Sequence, residues 1–299
     1  MNFLKDSKNR INFTCNNDDL DLQEFLKYID LSARMFRKLY KEKKILVNGK
    51  FQRKGISLNK GDIVSLVMED ETEDIKAEKM DLDIIYEDDD LLIINKEPNI
   101  VVHPTKSHQT NTLSNGIAYY FKENKINRKI RFVNRLDMDT SGIVIIAKNS
   151  FAHQQMALQF ENNTVEKKYL AIVEGIIKED TGTIDLPIGR EEDKSIKKIV
   201  TDNGQNALTK FRVISRLKDA TLVEVRIYTG RSHQIRVHMD YIGHPIIGDS
   251  LYNKKSNLIS RQALHSYYLK AKHPRTKKAI IFEAPIPFDM VELINLMKV

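Results

Sequence analysis

Four β-branched residues in succession, Ile143-Val144-Ile145-Ile146, constrain this chain more than any other stretch. Such a run reads as a strand covered on both faces, and it therefore demands a layered sheet. The turn that feeds it, residues 134–142, is dense in polar groups and ends on Gly142. A strand of this kind is a rigid anchor, on which a carboxylate such as Asp137 is held in one geometry. Asp137 is thus the first candidate for chemistry.

At 299 residues the chain is about two domains long and buries a sizeable core without staples. The one cysteine, Cys15, makes neither an intramolecular disulfide nor a multi-cysteine metal site, which fits a reducing cytoplasm better than secretion. Residues 1–10 are polar and charged, unlike a signal peptide, and no apolar run approaches the roughly 18 residues of a spanning helix. A cytoplasmic protein without a membrane partner is expected.

Charge is unevenly distributed. The formal net charge of +7 favours an anionic partner. Between residues 31 and 60, ten basic residues, among them Arg34, Arg37, Lys38, Lys41, Lys44 and Arg53, accompany the single acid Glu42. The sign then reverses through Glu69, Asp70, Glu71, Glu73 and Asp74, and again at Glu87 to Asp90. This switch predicts a basic module over 12–70, a solvated acidic linker over 71–81 and a larger domain over 82–299.

Within the basic module, Leu22, Phe25, Leu26 and Ile29 have the spacing of a short amphipathic helix. Ser32 is a natural N-cap for a second, basic one. Strands over 45–47 and 63–68 follow, the first turned by Asn48-Gly49. This order of parts, with SARMFRKLYKEKKILVNG and the Lys60-Gly61-Asp62 turn before the last strand, resembles the S4 RNA-binding domain. The resemblance covers about the first quarter of the chain and implies that Arg34, Arg37, Lys38, Lys41, Lys44 and Arg53 bind RNA.

In the larger domain, strands are expected over 82–86, 91–95, 143–146, 164–173, 208–216 and 221–228, with one more pair around Tyr268 and Ile280. Helices are expected over 112–121, 151–160 capped by Ser150, 233–242 capped by Ser232, and 289–297. Many strands with few βαβ alternations predict an α+β fold with a mixed, mainly antiparallel sheet, preceded by a small α/β unit.

Several chemistries are disfavoured. Asp137, Asp139, Ser141 and Gly142 open like a calcium loop, but Lys148 stands where a bidentate Glu is required. There is no Walker phosphate loop, no GxGxxG fingerprint and no GxSxG elbow. His233 and His238 are five apart, on different sides of a helix or a strand, so no metal site is expected. What remains is Asp137, the phenol of Tyr169 and the polar segment TGRSHQIRVH. If Asp137 is buried it needs a cation such as Arg135, Arg231 or Arg236. On residue types alone it reads first as a turn cap, and the catalytic reading stays open beside that one.

The segment from Asn134 to Gly142, NRLDMDTSG, resembles the HRLDxxTSG signature of the RluA-type pseudouridine synthases, and further blocks occur in that family's order. LLIINKEPNIVVHP resembles its first block, EKKYLAIVEG its tyrosine block, TGRSHQIRVHMDYIGHPIIGD its third motif and LHSYYLKAKHP its last. Two positions depart from the pattern: Asn134 replaces the usual His, and Glu97 stands where proline is common. Asn134 keeps a hydrogen-bonding group but has no proton that titrates near neutral pH.

The resemblance implies an isomerase that breaks the N1–C1′ bond of a uridine, rotates the base and joins C5 to C1′, with no cofactor and no metal. It assigns Asp137 as the essential acid, Tyr169 as the ring stacked on uracil and Arg236 as the partner that keeps Asp137 ionised. Arg135, Asn134, Ile235, Arg231 and His233 are the candidate substrate-binding residues. RNA is the expected partner, ribosomal RNA ahead of transfer RNA, and a monomer is expected. The competing reading is a non-catalytic RNA-binding factor on a degenerate synthase scaffold, for which Asn134 is the main support.

Overall fold

The computed structural model describes residues 7–69, 74–105, 108–192 and 195–298. Its first unit comprises β1 (Arg10–Thr14), β2 (Leu20–Asp21), α1 (Leu22–Tyr28), α2 (Ala33–Lys41), β3 (Ile45–Val47), β4 (Lys50–Phe51), β5 (Ser57–Leu58) and β6 (Ile63–Val67). The carboxylate of Asp21 accepts the Gln23 and Glu24 N–H groups to start α1, and the Ser32 hydroxyl accepts that of Met35 to start α2. Asn48 and Gly49 both take positive φ, as the tight β3–β4 hairpin requires. Strand β1, which the sequence reading missed, adds to the sheet in the order β1-β6-β3-β4 and starts two residues ahead of the expected boundary at 12. Both helices bury an apolar stripe, including Phe25, Leu26 and Leu39, against Ile45 and Leu66.

The second unit contains β7 (Asp83–Glu87), β8 (Leu91–Lys96), α3 (Leu113–Glu123), β9 (Arg131–Phe132), β10 (Ser141–Ala147), α4 (Ser150–Glu161), β11 (Glu166–Glu174), β12 (Thr181–Asp185), β13 (Ile188–Arg190), β14 (Lys198–Val200), β15 (Leu208–Arg216), β16 (Ala220–Ile227), α5 (Gln234–Tyr241), β17 (Leu264–Lys272), β18 (Ala279–Glu283) and α6 (Phe288–Leu296). The expected α+β class holds. The main sheet runs β12-β15-β16-β11-β17-β10-β8-β7, with β18 beside β17 and β9 beside β10. Residues 143–146 are fully buried, with Ile143 and Ile145 packed on α4 and Val144 and Ile146 on α3, so both faces of β10 are covered. Burying each such side chain contributes roughly 1.5–3 kcal/mol.

The sheet consists of two antiparallel halves joined at one seam. There β10 and β17 pair in parallel over only two positions, Ser141 opposite His265 and Gly142 opposite Ser266. The Asp137 turn enters the sheet at this seam. Gly142 has φ +113°, and a Cβ built on it lies 2.2 Å from the Ser266 carbonyl oxygen. The close approach of two main chains therefore requires glycine. Gly142→Ala is expected to lower stability by about 1–3 kcal/mol, read as a fall in the denaturant midpoint; an unchanged midpoint contradicts this account of the seam.

The acidic segment behaves differently from a solvated linker. Residues 71–73 lie outside the described residues, but the rest packs on α3: the Glu78 N–H donates to Asn115 O at 3.1 Å, and Asn115 Nδ2 donates to Lys76 O at 2.8 Å. Met80 lies against Gly116, and Ile75, Met80 and Leu82 join the core beneath α3. The acids at 87–90 are largely spent on cations. Glu87 pairs with Lys148 at 2.8 Å, Asp88 accepts from Tyr86 at 2.7 Å and meets His273, and the buried Asp90 takes a bidentate bond from Arg275 at 2.8 and 2.9 Å. Charge counting could not distinguish carboxylates in water from carboxylates with distant partners.

The same groups dock the first unit on the second. Arg275 Nη1 also donates to Ser7 O and Arg10 O, each at 3.2 Å, and Arg128 reaches Glu69 O at 2.7 Å as well as Lys8 O and the Asn9 side chain. Phe13 meets Phe151 edge-on at 5.6 Å, and Gln155 Nε2 donates to Ile29 O at 3.2 Å. Helix α4, at the centre of this interface, is capped by Asn149 rather than the expected Ser150. Asp90 holds the Asn149 amide at 2.7 Å, which frees its oxygen for the Ala152 N–H.

Candidate active site

A cleft beside the seam is lined by Arg135, Asp137, Tyr169, Arg231, His233, Ile235 and Arg236, together with Leu136, Thr140, Ile227, Gln234 and Leu264. Seven of the eight residues proposed from sequence for catalysis and substrate binding therefore converge. Asn134 is the one that does not line it. Its Nδ2 donates to Ile143 O at 3.0 Å and its Oδ1 accepts the Ile145 N–H at 2.8 Å, so it stitches the turn to β10. Both bonds suit a neutral amide, which carries donor and acceptor on one side chain.

Asp137 faces α5. Its Oδ2 accepts from Arg236 Nη1 at 3.0 Å, and about a third of the side chain is exposed. Arg236 is itself immobilised from behind: Nε and Nη2 donate to the two oxygens of the fully buried Asp249 at 2.6 and 2.8 Å. Burial opposes the charge on Arg236, but its bonds to Asp249 and Asp137 outweigh burial and raise its pKa further. The guanidinium thus has one edge locked to Asp249 and the other presented to Asp137, a bidentate geometry that lysine lacks. Asp249 lies within the third block, but nothing in its local pattern marks it as the anchor of Arg236.

His233 precedes α5 in the left-handed conformation at φ 58°, in place of the expected Ser232 cap. The Gln234 amide fixes this entry, accepting from Thr229 Oγ1 at 2.8 Å and the Arg231 N–H at 3.0 Å and donating to Leu208 O at 3.1 Å. The Tyr252 hydroxyl accepts the Lys198 N–H at 2.8 Å and lies 2.9 Å from His233 Nδ1, to which it can donate its own proton. A neutral His233 then carries its proton on Nε2, which lies 3.9 Å from Asp137 Oδ2. Burial lowers the His233 pKa, which favours that neutral form, although Asp137 pulls the other way.

Tyr169 on β11 is nine-tenths buried, and burial pushes its phenol up to about 12, so it is neutral at physiological pH. Beside it Ile227, Ile235 and Leu264 supply apolar walls. The cleft thus offers one carboxylate with a fixed cation, a neutral phenol and flat apolar surface, which suits a planar heterocycle attached to a sugar.

Buried side chains grip the Asp137 turn from beneath. Lys96 Nζ donates to Met138 O at 2.8 Å, and also to Glu97 O and Ile100 O. Arg261, 2% exposed, donates to Asp139 O at 3.2 Å while Asp289 holds its other edge, and Gln262 Nε2 donates to Thr140 Oγ1 at 3.1 Å. Three successive residues after Asp137 are each tied to a buried polar group. Partners of this kind come from distant segments, so sequence spacing gave no signal for them.

Ser141 and His265 close the seam. His265 Nε2–H donates to Ala284 O at 3.3 Å, leaving Nδ1 to accept the Ser141 hydroxyl at 2.9 Å. Burial lowers the His265 pKa to about 4 from an ordinary 6.5. Between these values the unfolded chain binds the extra proton, so stability falls as pH drops through this window, by roughly 3 kcal/mol from this group. The denaturant midpoint is expected to decline from pH 6.5 to 4, and less steeply in His265→Asn. Equal slopes in the two proteins contradict this assignment.

Of the basic residues proposed to bind RNA, Arg34, Arg37, Lys38, Lys41 and Arg53 are exposed on the first unit. Lys44 is instead engaged by Glu42 at 2.5 Å and Glu69 at 2.6 Å.

Residues 90–241 match the sequence profile of the family described as RNA pseudouridylate synthase, which spans the Asp137 turn, Tyr169 and α5. An uncharacterised RNA pseudouridine synthase of Bacillus subtilis is 45% identical over 275 residues, covering 90% of this chain and 91% of its own. Ribosomal large subunit pseudouridine synthase D of Pseudomonas aeruginosa is 36% identical over 272 residues, covering 84% of this chain and 85% of its own. Among solved structures, human RNA pseudouridylate synthase domain containing 1 superposes with a TM-score of 0.60 at 29% identity, over 70% of this chain and 84% of that one.

Proposed function

Since the chain belongs to the RNA pseudouridylate synthase family and is an RNA-modifying isomerase, we propose that Asp137 is its essential acid and that its substrate is ribosomal RNA. The observation that carries the first part is the Asp249–Arg236–Asp137 line, which holds one carboxylate in a fixed direction at the mouth of the cleft. The reaction breaks N1–C1′, turns the uracil and forms C5–C1′; the C5 proton leaves as N1 gains one, so atoms balance without a co-reactant.

Each neighbour has a defined part in this reading. Arg236 pairs with Asp137 and keeps it aimed. Tyr169 lies against the uracil face, where its neutral phenol stacks and is a candidate to exchange a proton. Ile235 and Leu264 exclude water, so that freed uracil recombines instead of diffusing away. Arg135, Arg231 and His233 hold the sugar and phosphates of a uridine that has left its stack, a step that costs a few kcal/mol repaid by contacts elsewhere.

Ribosomal RNA is favoured by the similarity to ribosomal large subunit pseudouridine synthase D. The first unit, over 12–70, serves in this reading as an S4-like module whose α2 presents Arg34, Arg37, Lys38 and Lys41 to RNA phosphates. The protein acts as a cytoplasmic monomer; among the described residues no helix is long and apolar enough to cross a membrane. Mapping pseudouridines in total RNA from cells with and without the protein tests the substrate: loss of a large-subunit ribosomal site is expected, and loss confined to transfer RNA overturns it.

A further inference from the structure

A second cavity, of about 600 Å³ against about 80 Å³ for the catalytic cleft, lies between the C-terminal end of α4, the start of β11 and the ends of β16 and β17. Its walls carry four cations, Arg226, Lys270, Lys272 and Lys277, and two carboxylates, Asp30 and Glu166. Alternation along the strands separates it from the catalytic residues. Lys168 pairs with Arg226, and Tyr169 with Val225, so Arg226 and Lys168 project from the opposite strand face to Tyr169.

We propose that this groove is a second RNA-binding site, which holds a stretch of phosphodiester backbone of the substrate RNA outside the catalytic cleft; the proposal rests on the RNA-substrate reading above. The cations are gathered against their own repulsion. Glu166 serves Arg226 at 3.4 Å and Lys168 at 3.7 Å, whereas Lys270 and Lys272 are exposed and within ion-pairing distance of no carboxylate among the described residues. Burial depresses the Lys277 ammonium, and Lys272 depresses it further although Asp30 acts in the opposite sense. Lys270 and Lys272, exposed and without a carboxylate partner among the described residues, fit an anionic occupant.

The geometry selects an extended polyanion over a small anion. The lysines are spread along a strand end and the turn after it, and Lys270 and Lys272 are exposed, so no tight cage is formed. Aromatic rings continue the surface beyond the groove: Lys168 lies over Tyr268 at 5.1 Å, and Arg226 and Lys210 over Tyr228 at 4.8 and 5.4 Å. Cations interleaved with rings suit a backbone whose bases stack nearby. The groove is also rigid and continuous with the first unit. Gln159 holds both the Lys272 N–H and carbonyl, at 2.7 and 2.8 Å, and the Asp30 wall leads directly to Ser32, the cap of the basic helix α2.

The test uses the full chain, a large-subunit ribosomal RNA transcript and the double variant Lys270→Ala/Lys272→Ala. The slope of log affinity against log salt is expected to become shallower by about 1.4–1.8, as lost contacts to two phosphates require. The KM for tritium release from the same C5-labelled transcript is expected to rise roughly tenfold with kcat within about twofold, and Lys270→Arg/Lys272→Arg is expected to restore both slope and KM. An unaltered slope and KM in a double alanine variant that melts like wild type overturn the proposal. Wild-type protein that releases no tritium counts against the catalytic reading, whereas active wild type with an unaltered slope in the variant counts against the groove alone.

Discussion

Asp137→Asn is expected to fold and bind RNA like the wild type while losing activity by roughly 10²–10⁴-fold, the range seen when a group that works in the transition state is removed. The substitution keeps the shape of the side chain and its bond to Arg236 Nη1 at 3.0 Å, now through a neutral acceptor. What it removes is the negative charge, and with it every chemical role open to Asp137: attack on the sugar or base, or removal of a sugar proton. Because about a third of the side chain is exposed at the cleft mouth, neutralising it leaves no buried charge among apolar groups. Arg236 retains Asp249 as its counter-ion. The loss therefore falls on kcat, and RNA affinity measured over a salt series stays at the wild-type value. A variant with more than about a tenth of wild-type kcat contradicts the role given to Asp137.

Asp249→Asn acts on stability as well as on rate. Asp249 is fully buried, and both of its oxygens bind Arg236 while Oδ1 also receives the Leu251 and Tyr252 N–H groups at 3.1 and 3.3 Å. Removing one partner of a buried, bidentate pair leaves the other charge poorly compensated, at a cost of about 3–5 kcal/mol. The freed guanidinium swings toward Asp137, so the carboxylate loses its fixed direction. A lower denaturant midpoint and a reduced kcat are expected together, with RNA affinity preserved in the folded fraction. Arg236→Lys separates the two effects, since it keeps a positive charge but not the fork that spans Asp249 and Asp137. Wild-type stability in Asp249→Asn contradicts the view that this pair is the backbone of the site.

Much of this architecture was legible in the sequence wherever a local pattern carried it. The β-branched run became a strand buried on both faces, Asn48-Gly49 a hairpin and Ser32 a helix cap, because each depends on residues within one turn or strand. Asp137, Tyr169 and Arg236 could be named because they sit in three recognisable blocks. The residues that hold them could not. Asp249, Lys96 and Arg261 are buried polar groups whose partners lie on other elements, so their function exists only in three dimensions. The acidic segment shows the same limit: composition suggested solvent exposure, while Asp90 is buried and bonded to Arg275, 185 residues away. Helix starts were shifted by a residue at α4 and α5, where Asn149 and His233 took the position expected of a serine. The short strands β13 and β14, three residues each, were missed because so few positions show no period.

Asn134 gains a definite meaning from the fold. As a substitute for the family's histidine it suggested altered substrate handling, yet its amide donates and accepts one bond each in joining the Asp137 turn to β10. Its two bonds place it beneath the Asp137 turn, and they give no ground for regarding the scaffold as degenerate.

The central claim, that this chain isomerises uridine through Asp137, is tested most directly by tritium release from ribosomal RNA labelled at uridine C5, with wild-type protein and Asp137→Ala assayed side by side. Joining C5 to C1′ expels the label, so wild type is expected to release it until the target sites are converted, and Asp137→Ala to release none. Retention of label by wild type on ribosomal RNA, or equal release by the two proteins, would contradict the account.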